Sequence, residues 1–104
     1  MSVELPTREA FFACLHSKFR VLNVLPEPLE LELTAVSDLL ETPRQAAYSI
    51  YFLGPADQML PQHIYRLQHH QLGEMNLFLV PVGKQEHCYE YEAVFNHLKP
   101  PAGG

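Results

Sequence analysis

No apolar stretch in this chain is long enough to cross a bilayer. No uninterrupted apolar run, Leu77 to Val82 included, exceeds six residues, where a membrane helix needs roughly 20. The opening Met1-Ser2-Val3-Glu4-Leu5-Pro6 has neither the basic start nor the apolar segment of a secretory signal. The expectation is therefore a cytoplasmic protein with no membrane insertion. There is no tryptophan, and the two cysteines, Cys14 and Cys88, form no CxxC pair and no disulfide framework. That usage fits a reducing compartment. Positive charge is scarce: seven Lys and Arg stand against 12 Asp and Glu, a net charge of −5. Without a basic stretch, nucleic acid is not expected as a partner. Phosphate loops, calcium loops and dinucleotide fingerprints are absent, and no G-x-S-x-G surrounds Ser2, Ser17, Ser37 or Ser49.

What is present reads as one small globular domain. The 104 residues are 47% hydrophobic and 18% charged, too apolar for intrinsic disorder. The domain is placed at 1–98, with Lys99 to Gly104 as a disordered tail. Pro26, Pro28, Pro43, Gly54-Pro55, Pro61, Gly73 and Gly83 divide the chain into short segments rich in β-branched, aromatic and leucine residues, the spacing of an antiparallel β domain. Strands are expected over 17–24, 29–37, 46–53, 62–69, 75–82 and 87–98. The one helix is expected over 7–15, with Thr7 as N-cap and Phe11, Phe12 and Leu15 as its apolar stripe. The fold expected is mainly β: a six-stranded, mostly antiparallel sandwich or partly open barrel, with a short N-terminal helix closing one end. Burial logic sets Phe19 opposite Leu33, Val21 opposite Leu31 and Arg20 opposite Glu32.

Six histidines invite a metal reading. Adjacent strand residues point to opposite faces, so His69-His70 and His87-Cys88 cannot each serve one ion or act as a catalytic pair without distortion. No metal, cofactor or catalytic residue is assigned, and His69 is expected to hold the Leu72-Gly73 turn by bonding to backbone. Glu30 with Glu32, and Glu90 with Glu92, each place two acids on one strand face. They read as the wet side of a sheet, with Lys18, Arg20 or Arg66 as cross-strand counter-charges.

An ordered series of motifs fills the second half. Phe52-Leu53-Gly54-Pro55 is followed by Tyr65-Arg66-Leu67-Gln68-His69-His70-Gln71-Leu72-Gly73, then Leu77-Phe78-Leu79-Val80-Pro81-Val82-Gly83, then Tyr91-Glu92-Ala93-Val94-Phe95-Asn96. The series resembles a family of small bacterial β domains classed as a domain of unknown function. Its pattern runs F-x-G-P, Y-x-L-x-H-x-x-L-G, L-F-L-V-P-V-G and Y-x-A-V-F-N. The resemblance covers about residues 10–97, sets His69 rather than His70 on the family's histidine position, and implies a compact β domain of bacterial origin. Some relatives are encoded near fibre proteins resembling phage-tail collars. No functional residue is carried over by it.

Two strands are apolar on both faces. Tyr51 and Leu53 lie across from Ile50 and Phe52, and Phe78, Val80 and Val82 across from Leu77 and Leu79. Too many apolar side chains would then face water. Tyr51, Leu53, Phe78 and Val80 are therefore the candidate interface for a protein partner or for self-association. The expected function is a non-enzymatic protein-binding module, an accessory, adaptor or chaperone-like component of a bacterial assembly, phage-tail-like or fibre-like. Two alternatives are a β-barrel holding a small apolar ligand and a metal-dependent enzyme built on the histidines.

Overall fold

The computed structural model describes residues 6–24, 29–85 and 87–98. The break expected at Pro26 and Pro28 and the disordered tail expected at 99–104 lie outside the described residues. The first element among the described residues is helix α1 (Arg8–Ala13). Thr7 caps it, its hydroxyl accepting from the Ala10 amide at 3.1 Å, and Glu9 in the first turn faces the positive end of the helix dipole. The helix stops at Cys14, and His16 takes φ +69°, a left-handed conformation that His tolerates better than most residues.

Seven strands follow: β1 (Lys18–Val21), β2 (Leu29–Val36), β3 (Leu40–Glu41), β4 (Gln45–Pro55), β5 (His63–His69), β6 (Gly73–Gln85) and β7 (Cys88–Leu98). They run β2-β1-β5-β6-β7-β4-β3, and a further β2–β4 pairing closes six of them into an antiparallel barrel. β3 lies on the same edge of β4 as β2, farther along.

Closure depends on two strands that change partner midway. β2 pairs with β1 through Leu29–Glu32 and with β4 through Glu32–Val36. β6 pairs with β5 through Gly73–Leu79 and with β7 through Val80–Gln85. A bulge lies near each change, at Leu33/Ala35 and at Pro81/Gly83. Bulges bend a strand and increase its twist, which is what turning from one neighbour to the next requires. Pro81 has no amide to donate and sits where the ladder is already irregular.

Phe11, Phe19, Leu31, Leu33, Ile50, Phe52, Leu67, Leu79 and Tyr91 fill the interior and are fully buried. Helix α1 closes one end. Its Phe11 ring lies 6.4 Å from Phe19 and 5.5 Å from Phe95.

Four expectations need correction. The β1–β2 register is Phe19↔Leu31, Arg20↔Glu30 and Val21↔Leu29, two residues from the expected one. Leu33 instead meets the turn after the helix, accepting from the His16 amide at 2.6 Å and donating to the Ser17 carbonyl at 3.1 Å. A slip of two preserves every face, so burial logic cannot detect it. Alternation from Leu29, Leu31 and Leu33 puts Ala35 on the inner face and Val36 on the outer one, but the bulge at Leu33 turns Ala35 outward and Val36 inward. Phe12 is 54% exposed, because a helix of six residues offers the barrel only a narrow stripe. Finally, β3 with its exposed Leu40, and the exposed Leu39 just before it, were not anticipated, since two residues carry no readable alternation.

Candidate functional site

The sequence-predicted interface lies on the outside of the barrel. Phe78 is 48% exposed, while Tyr51, Leu53 and Val80 are half-buried. Val80 pairs with Glu92, and Glu92 with Tyr51, so the three form one rung across β6, β7 and β4. The Tyr51 hydroxyl donates to Glu92 at 3.0 Å. That bond favours the neutral phenol and pushes its pKa up.

Two apolar residues absent from the sequence reading join the strip. Ile64 pairs with Phe78 across β5 and β6 and is 56% exposed. Val94 is 63% exposed and lies two residues beyond Glu92 on the same face. A signal for Ile64 was available: it alternates against Tyr65, Leu67 and His69, which are all buried. The β6–β7 ladder stops at Val80↔Glu92. Beyond it, among the described residues, the facing edges of Gly73–Leu79 and Ala93–Leu98 carry no ladder partner.

A second constellation lies at the helix-covered end. His69 is 2% exposed. Its Nδ1 accepts from the Gln71 and Leu72 amides at 3.1 and 3.2 Å, the turn-holding role expected of it. Nε2 lies 2.8 Å from Ser17 Oγ, and Ser17 donates to the Cys14 carbonyl. Cys14 is buried and its thiol donates to Gln71 Oε1 at 3.5 Å. The Ser17–His69 pair spans 52 residues and was not anticipated. It has the atoms of a nucleophile and base but the wrong proton placement. With two N–H groups aimed at Nδ1, the neutral ring carries its proton on Nε2 and donates to Ser17. A base would have to accept there.

Ser17 and His69 border an open groove of about 930 Å³ that Lys18, Arg20, Glu30 and His70 also line. Its charges are mixed. Lys18 reaches Glu32 at 3.4 Å, a counter-charge expected on the wet face, while Arg66 pairs with Glu74 at 2.7 Å rather than with one of the expected acids.

Among the described residues, no three His, Cys, Asp or Glu side chains group as metal ligands. His63 lies edge-on to Tyr65 at 5.4 Å, and Cys88 contacts Gln85 at 3.7 Å. The interior space in which an apolar ligand would sit is occupied by Leu31, Phe52, Leu79 and Tyr91. Among the described residues, no helix is long and apolar enough to cross a membrane.

A sequence model of the family described as Domain of unknown function (DUF6916) matches residues 6–95. The chain belongs to this family. No curated protein and no solved structure shows a match. In this DUF6916 domain, the histidine of the motif His69-x-x-Leu72-Gly73 is the buried, turn-holding one.

Proposed function

We propose that the chain is a non-enzymatic protein-binding module, an accessory component of a larger assembly, whose contact surface is the outer face of β5, β6 and β7. The observation that carries this reading is the exposure of Ile64, Phe78 and Val94 together on a barrel whose interior is already filled. Apolar side chains gathered on one face mark interaction sites more often than chance exposure does. The facing edges of β6 and β7, without a ladder partner among the described residues, support an extended partner segment, since such edges offer backbone donors and acceptors in register. Glu90 and Glu92 on the same face, and a net charge of −5, favour a segment with basic flanks.

Fluorescence anisotropy with labelled ten-residue peptides of alternating apolar residues, flanked by lysine or by glutamate, tests the reading. The lysine-flanked peptide is expected to bind more tightly, and Phe78→Ser with Val94→Thr to weaken it by about tenfold or more, the scale of a modest hot spot. Equal binding by the double variant, or no binding of either peptide, would remove this face from consideration.

A further inference from the structure

We propose that His69 is an acid-released latch, which at neutral pH fastens the β5–β6 turn to the C-terminal end of α1 and the connection that leads from it into β1. Both ring nitrogens are engaged, and each by a partner of fixed polarity. Nδ1 serves as acceptor for the amides of Gln71 and Leu72. Nε2–H donates to Ser17 Oγ, whose own proton goes to the Cys14 carbonyl. Three segments of the chain therefore meet on one neutral imidazole.

Imidazolium has two donors and no acceptor. A proton added at Nδ1 would face two N–H groups at hydrogen-bond distance, so both turn bonds must break before it can reside there. The surroundings oppose the charge as well. The ring packs on Phe19 with centroids 4.4 Å apart and stacks on His70 at 4.6 Å; the two histidines do not point apart as adjacent strand residues would, because β5 ends at His69 and His70 lies in the turn. Burial first, and the neighbouring His70 second, hold the His69 pKa below its ordinary value.

The other groups around it are few. The Cys14 thiol comes from α1, Lys18 and Arg20 from β1, Glu30 from β2 and Glu74 from β6, these last four bordering the adjoining groove. His16, in the turn before β1, is 3.5 Å from Glu32. None supplies an anion in contact with His69 that would stabilise its charged form.

The sign follows from linkage. In the unfolded or opened chain the histidine titrates near its ordinary value of about 6.5, and in the closed latch it titrates lower. The latch is at full strength above about pH 6.5 and weakens as pH falls, by at most tenfold per pH unit, the limit for one proton. Release frees Gln71 from Cys14 and loosens the groove wall that His69 and Ser17 provide.

The test uses the full chain. At pH 7.5 a ring ¹⁵N–¹H spectrum is expected to show His69 protonated at Nε2 alone. Amide exchange, corrected for its intrinsic pH dependence, should lose protection at Gln71 and Leu72 between pH 6.5 and 5, while Ile50 in the core of β4 loses less. His69→Asn keeps a side-chain acceptor near the Nδ1 position without titrating there, and its protection should be flat over that range. In Cys88→Ser, disulfide-reagent labelling of Cys14, measured relative to free cysteine at each pH, should accelerate as pH falls. If His69→Asn does not fold, Ser17→Ala replaces it: Nδ1 keeps its role and the acid loss should persist. A proton on Nδ1 at pH 7.5, unchanged protection at pH 5 in the unmodified chain, or an equal acid loss in His69→Asn overturns the latch.

Discussion

Nδ1 of His69 accepts from the amides two and three residues later, the role an Asn or Asp plays in a capped turn. Gly73 then adopts φ +80°, a conformation glycine takes without steric cost. The H-x-x-L-G pattern thus encodes a turn, and its structural use was legible from position alone. The Ser17 partner was not, because nothing local links residues 52 apart. Tyr91 shows the same limit. Its hydroxyl accepts from the Leu60 amide at 2.8 Å, a long-range bond that also keeps a buried donor satisfied, while burial raises the phenol's pKa. Tyr91→Phe leaves that amide unpaired and is expected to cost about 1–3 kcal/mol in urea denaturation. An unchanged midpoint would mean water reaches Leu60. Beside Tyr91, a methyl on Gly54 would meet Leu31 Cδ2 at 2.6 Å and Tyr91 Cε2 at 3.2 Å. Gly54→Ala is accordingly expected to destabilise by about 1–3 kcal/mol through overpacking, read from the same titration.

At the level of elements, alternation located six strands and capping located the helix, but bulges and partner changes escaped. Leu29, Leu31 and Leu33 face inward as their spacing predicts. The pattern then breaks at Ala35 because the strand must bend from β1 toward β4. No residue type there announces a bulge, whereas Pro81 and Gly83 do mark the second one. The helix gives a direct comparison. Phe11 is fully buried and Phe12 is 54% exposed beneath Arg8, whose guanidinium carbon lies 6.0 Å from the ring. Phe11→Ala should cost about 3–5 kcal/mol, the range for a core phenylalanine. Phe12→Ser should stay within about 1 kcal/mol, as surface changes usually do. Equal losses in the two denaturation midpoints would show that the helix sits on the barrel in another orientation.

For the whole molecule, closure of the barrel decides what the apolar outer strip means. A sandwich or open sheet would leave room for Tyr51, Leu53, Phe78 and Val80 to be buried against a second layer. The β2–β4 pairing instead turns one face of all six strands inward, and that interior is filled by other side chains. The strip is therefore outside the core, and its removal should separate stability from association. Phe78 and Ile64 keep about half of their surfaces in water, so each contributes roughly half of the 1.5–3 kcal/mol that full burial would give. The double variant Ile64→Thr with Phe78→Ser is expected to lose about 1.5–3 kcal/mol at most, the sum of the two halves, and threonine retains strand propensity at the first position. Phe52→Ala, inside the barrel, should lose about 3–5 kcal/mol. Light scattering against concentration adds the second axis: if copies of the chain associate through the strip, the double variant should scatter less than the unmodified chain while remaining cooperatively folded. A double variant that unfolds like Phe52→Ala would place Phe78 and Ile64 in the core, and the contact surface would then have to lie on another face of the barrel.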